Sequence, residues 1–123
     1  MLPLRTVLRA NSAFSLTSGA ALVFGAFVLD DLLGLPAGWL AALGAGVAAF
    51  GLLVRRLSDP DPVPTGAALF VIAADLSWVI GTAVVLLAFP DLLSATGMWV
   101  FGIIGLFVLD FALLQALGLR SSR

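Results

Sequence analysis

The chain has 123 residues, 62% of them hydrophobic, with six arginines against seven aspartates and a formal net charge of −1. Average domains are about 45–50% apolar, and a chain this short has too much surface for its volume to hide the excess; a mean hydropathy of +1.19 therefore points to lipid as the solvent, and the small charge gives no field for nucleic acid. The absence of Cys, His, Lys, Glu and Tyr excludes disulfides, thiolate metal sites, histidine acid–base chemistry and haem ligation, and Schiff bases.

Four apolar stretches are predicted as membrane-spanning helices, over residues 10–29, 38–54, 67–89 and 98–117. Each approaches the ~20 residues that cross ~30 Å of hydrocarbon at 1.5 Å per residue. Backbone polar groups in lipid must be satisfied within the segment, so each is helical. No ~10-residue alternating segments of a membrane barrel are present.

The first stretch follows Arg5 and Arg9. Its apolar core is longer than that of a cleaved signal peptide and lacks a small-x-small site after it, so it reads as a retained helix. Asn11, Ser15 and Ser18 fall at i, i+4 and i+7, on one face. The connection 30–37 carries Asp30, Asp31 and the breakers Gly34 and Pro36.

The second stretch is rich in small residues. Ala37, Ala41, Ala45 and Ala49 recur every four residues, flanked by Gly44, Ala48 and Gly51. Small stripes let helices approach closely in lipid, so this face is expected to be packed, and Ala45→Leu to disrupt it. Arg55 and Arg56 end the stretch, and a loop with Pro60, Pro62 and Pro64 follows. Asp59 and Asp61 there read as solvated; two carboxylates alone do not make a metal site.

The third stretch carries Asp75, with Thr82 seven residues on, and the fourth carries Asp110. A carboxylate at mid-membrane costs ~2.5–3.5 kcal/mol or more, so such residues usually face the bundle interior or water. Both lie at a shared depth, ~10–13 Å from the arginine-bearing side. Asp75, Asp110, Asn11, Ser15, Ser18 and Thr82 thus form the candidate polar intramembrane site. It reads as a proton or cation site, or as a hydrogen-bonded lock on the packing, or as an ion pair with Arg5 or Arg9 reaching inward. Gly102 and Gly105 allow close packing locally, and Gln115 and Arg120 read as interface residues.

All six arginines fall on one side if the chain crosses four times, which the positive-inside rule places in the cytoplasm. The fold class is accordingly all-α: a polytopic, four-transmembrane-helix bundle in a single domain with both termini inside. The Ala, Leu, Gly, Arg and Asp bias suggests a GC-rich bacterial genome, hence the bacterial cytoplasmic (inner) membrane. An offset of 60 residues pairs Asp31-Leu32-Leu33 and Trp39 with Asp91-Leu92-Leu93 and Trp99, and Ser15 with Asp75. Two parallel helical-hairpin repeats related along the membrane normal would produce it; chance recurrence of Leu, with Trp as interface anchors, is the alternative.

Size and layout resemble those of small multidrug-resistance transporters. The likeness is of layout only: that family's membrane-embedded Glu has no counterpart among Asn11, Ser15 and Ser18, so no site transfers, and the polar-phenylalanine pattern of fluoride channels has none either. The leading functional expectation is a non-enzymatic accessory or assembly subunit. The alternative is a homo-oligomeric transporter or channel using Asp75 and Asp110. Expected partners are the lipid bilayer and a second copy or larger membrane protein, with no nucleic acid, no cofactor and no metal.

Overall fold

The computed structural model describes residues 3–121, and all its regular elements are helices. These are α1 (Leu4–Phe24), α2 (Ala26–Leu33), α3 (Ala37–Leu57), α4 (Thr65–Ala88) and α5 (Ala95–Ser121). Three of them, α3, α4 and α5, are long and apolar enough to cross a membrane; the count is four if α1 and α2 form one span. Three prolines set the starts. Pro3, Pro36 and Pro64 stand at the N-caps of α1, α3 and α4, where a missing N–H costs nothing and the fixed φ favours entry.

One predicted element needs correction. The first stretch is not a straight helix over 10–29: the chain turns by 92° at Gly25, between α1 and α2. The segment expected to be a loop from Asp30 is helical to Leu33 and stops at Gly34, whose φ of 82° is the left-handed conformation that glycine adopts without a Cβ clash. α2 then lies across one end of the bundle. It is pinned there by Ser94, whose Oγ donates to Leu32 O at 2.6 Å and whose N–H donates to Leu33 O at 3.2 Å. Gly34 and Ser94 abut and are one 60-residue offset apart.

α1 packs along α3 and also against α5, and α5 packs against α4, whereas α3 and α4 touch only slightly. The helices thus form an arc, α3–α1–α5–α4, with one open seam. At the arginine-bearing end the core is Leu4, Leu8, Val54, Ala68, Val71 and Leu119. At the opposite end it is Leu22, Ala26, Leu33, Leu40, Leu93 and Phe101. Between the two apolar clusters lies a layer of polar side chains.

The α1–α3 seam is built on glycine. A Cβ placed on Gly19 would stand 2.6 Å from Gly44 O and 2.8 Å from Ala48 Cβ, and one on Gly44 would stand 2.7 Å from Gly19 O. Only hydrogen fits there, so the two backbones meet. The packed face of α3 therefore runs through Leu40, Gly44, Gly51 and Val54, all buried. The Ala37–Ala41–Ala45–Ala49 stripe does not define it: Ala45 and Ala49 are exposed. A strict four-residue period drifts around a helix of 3.6 residues per turn, so by Ala45 that stripe has rotated off the contact. The expectation that Ala45→Leu disrupts packing is thereby overturned; Gly44 holds that position.

Candidate functional site

The polar layer is contributed by three helices. From α1 come Asn11, Ser12 and Ser15, from α4 Asp75, and from α5 Gln115, and all five are buried. Asn11 Nδ2 donates to Asp75 Oδ2 at 2.9 Å and to Gln115 Oε1 at 2.8 Å. Gln115 Nε2 donates to the same Asp75 Oδ2 at 2.8 Å. Ser15 Oγ donates to Asn11 Oδ1 at 3.3 Å. The two amides thus close a ring with one carboxylate oxygen. Buried polar groups persist when each finds a partner, and a carboxylate flanked by amide donors has its charge-assisted bonds supplied without a cation.

Both hydrogen bonds to Asp75 go to Oδ2, and Asp75 Oδ1 takes none among the described residues; Asp75 lines a cleft of about 400 Å³ that opens through the α3–α4 seam. Its walls are mostly apolar and aromatic, with Phe14, Phe50, Trp78 and Phe101, and its polar rim is Asp75, Ser15 and Ser18. A second cleft of about 370 Å³ continues along the same seam toward the α2 end and shares Leu43, Trp78 and Phe101 with the first. Trp78 lines both, and its Nε1–H is buried with no partner among the described residues. A buried indole N–H ordinarily finds an acceptor, so this donor beside the two clefts is an exception within the bundle.

The six expected site residues separate in space. Asp75, Asn11 and Ser15 come together as expected, and Ser18 is half-buried on the cleft rim. Thr82 is half-buried too, but lines the second cleft with its methyl near the α5 backbone at Gly105. Asp110 does not join them. It is exposed on the outer surface of α5 and makes no hydrogen bond or ion pair among the described residues. At 3.6 residues per turn it stands about 180° around α5 from Leu119, which is buried. The sequence placed the two carboxylates at a shared depth along their helices; they differ in rotation about the helix axis, Asp75 being buried and Asp110 exposed, and spacing from the helix end does not encode rotation.

Gln115, expected at the interface, is instead fully buried. A signal for it was present in the sequence: Gly105, Ala112 and Gly118 mark the closely packed side of α5, and Gln115 is three residues from both Ala112 and Gly118. Ser12 is a second omission. It donates to Gly51 O at 2.7 Å across the α1–α3 seam. The arginines do not reach Asp75. Arg5 donates to Ser58 O at 2.8 Å and Asp59 O at 2.7 Å, and Arg9 pairs with Asp59 at 3.8 Å, fastening the start of α1 to the α3–α4 loop. No group of three or more metal-ligating side chains occurs among the described residues.

No protein family, curated protein or solved structure matches the chain. The chemistry must therefore be read from the cleft itself. An apolar, aromatic-lined recess with one carboxylate in its lining suits a largely apolar guest bearing a positive charge, held by hydrophobic contact, by attraction to the carboxylate and by the ring faces.

Proposed function

We propose that this chain is a non-enzymatic, four-span membrane protein that binds a small lipophilic cation in the cleft between α3 and α4, with Asp75 as its counter-ion. One observation carries the reading: a carboxylate in the middle of a span is anchored through one oxygen by Asn11 and Gln115 while it lines an aromatic cleft. Intramembrane carboxylates that face a cavity commonly mark a ligand or ion pathway. Asp110 has no part in this site, so the reading rests on Asp75 alone.

The membrane placement is supported by the fold. α1 is less apolar than the other long helices, but its polar residues Asn11, Ser12 and Ser15 turn inward. Its 21 residues reach about 31 Å at 1.5 Å per residue. α2, with Phe27 89% exposed and Asp31 exposed, suits the headgroup boundary at the far side. Arg5, Arg9, Arg55, Arg56 and Arg120 gather at the other end, which we assign to the cytoplasm; Arg123 lies outside the described residues. Trp39 and Trp99 are both strongly exposed near the starts of α3 and α5, in keeping with two parallel hairpin repeats of which only the first carries a broken helix. The bacterial inner membrane remains the proposed location. Reporter fusions should read cytoplasmic at the C-terminus and between Asp59 and Pro64, and periplasmic beside Pro36 and Asp91; a periplasmic C-terminus would overturn this topology.

The binding test uses tetraphenylphosphonium and the protein in detergent or nanodiscs. Titration should perturb tryptophan fluorescence through Trp78, and a neutral aromatic compound of similar size should bind at least tenfold more weakly. Asp75→Asn keeps the shape and should leave the fold intact while removing the preference for the cation. If Asp75→Asn binds the cation as well as the parent, the amide–carboxylate ring is a packing lock and the cation reading fails.

A second reading, the accessory or assembly subunit, is favoured by a different observation: the carboxylate of Asp110, without a partner among the described residues, on the outer face of a membrane-length helix.

A further inference from the structure

α5 is buried along one side through Phe101, Val108, Ala112 and Gln115. Its opposite side is exposed through Trp99, Ile103, Leu106, Asp110, Leu113 and Leu117. The spacings along that side are 4, 3, 4, 3 and 4 residues. This is the seven-residue pattern that keeps one seam in contact with a neighbouring helix crossing at about +20°. In lipid an outward apolar surface needs no partner. Asp110, at the centre of the stripe, is different: a carboxylate against acyl chains costs ~2.5–3.5 kcal/mol or more. Nothing else in the described chain relieves it, since Asp110 has no hydrogen bond or ion pair.

We infer that the outer face of α5 docks a transmembrane helix of a different membrane protein, one that carries a lysine or arginine at the depth of Asp110. The inference rests on the assembly reading and is independent of the Asp75 cleft. Charge complementarity selects the occupant. Intramembrane charges are stable chiefly when paired with an opposite charge or facing water. A second copy of this chain offers no such charge: there is no lysine or histidine, and Arg5, Arg9, Arg55, Arg56, Arg120 and Arg123 all lie toward helix ends or in the terminus. In a symmetric pair along α5, Asp110 would meet its own copy. A cationic helix would meet it with an opposite charge, while Leu106 and Leu113 pack on either side. Asp110 then sets the depth and partner choice, as a polar seam residue does in coiled coils.

The test reconstitutes the fluorescently labelled full chain in phosphatidylcholine bilayers with a synthetic polyleucine transmembrane helix bearing one central lysine, or with its all-leucine twin. Resonance energy transfer reads association. The lysine helix should associate at least tenfold more tightly than the twin. Asp110→Leu should erase the difference, and Asp110→Glu should retain it. Asp110 has no internal partner, so neither change endangers the fold. Equal transfer from the two helices would overturn the inference. So would transfer between two labelled copies that Asp110→Leu abolishes, without any preference for lysine; the occupant would then be a second copy and the assembly reading would stand. A photo-crosslinker placed at Leu106 in cell membranes separates the remaining outcomes. A protein adduct that depends on Asp110 supports docking, whereas adducts to lipid alone would remove the assembly reading itself.

Discussion

α3 has two flanks, and they differ in kind. Toward α1 it presents Gly44 and Gly51, and the helices meet backbone to backbone, with Ser12 donating to Gly51 O at 2.7 Å. Toward α4 it presents Leu43, Phe50 and the open surface of Gly46, and the helices stand apart around a cleft of about 400 Å³. Helix contact in lipid has little hydrophobic driving force, because the tails are as apolar as the side chains. Close packing must then come from small residues in matched positions. Where bulky residues face each other without such a match, a recess remains, and here it forms beside the polar layer. The tight flank holds the fold and the loose flank offers the candidate site.

The largest expected effect comes from forcing the tight flank apart. Gly44→Leu inserts a side chain where even a Cβ lies 2.7 Å from Gly19 O; overpacking against backbone should cost about 3 kcal/mol or more. The folded monomer in detergent should lose many degrees of Tm. Ala45→Leu, one residue along and exposed, should leave Tm unchanged, and a similar loss from both variants would mean the contact face is misassigned.

Next in size is the polar layer behind the cleft. Gln115→Leu removes a donor to Asp75 and the acceptor for Asn11, leaving buried groups unpaired at roughly 1–3 kcal/mol. Asp110→Leu, on the same helix but facing outward, should not destabilise the monomer. Thermal unfolding of the two variants side by side checks whether burial, not residue class, decides the cost.

Ser12→Ala should cost about 1 kcal/mol through the bond to Gly51 O, again by thermal unfolding. The smallest structural effect is expected on the loose flank. A Cβ on Gly46 meets nothing within 4 Å, and Gly46 lines the cleft. Gly46→Leu should therefore keep or raise stability by about 0.5–1 kcal/mol through better helix propensity, yet fill the recess and block tetraphenylphosphonium. Unchanged binding would place the cation elsewhere.

Much of this was legible in the residues, and the parts that were not share one cause. The long apolar helices α3, α4 and α5 follow from apolar run length, and the breaks at Pro36 and in the loop of Pro60, Pro62 and Pro64 from their prolines, which are local. So does the gathering of arginines at one end. The start of α1 at Leu4, ahead of the expected span, does not. Asp75 with Asn11 and Ser15 could be anticipated because a carboxylate inside a span needs polar neighbours and the i, i+4 face of α1 supplies them at the right depth. Asp110 carried the same local signature and faces outward; Gln115 carried a weaker one and completes the site. The 92° turn at Gly25 was hidden as well, since a glycine within an apolar run fits either a straight span or a break. Sequence alone determined composition and which apolar runs become the long helices α3, α4 and α5, because run length and 1.5 Å rise set them. Only tertiary packing decided which way each helix turns about its axis, because rotation depends on which small residues on a neighbour admit it. That choice placed Asp75 on a cleft and Asp110 on the outer face.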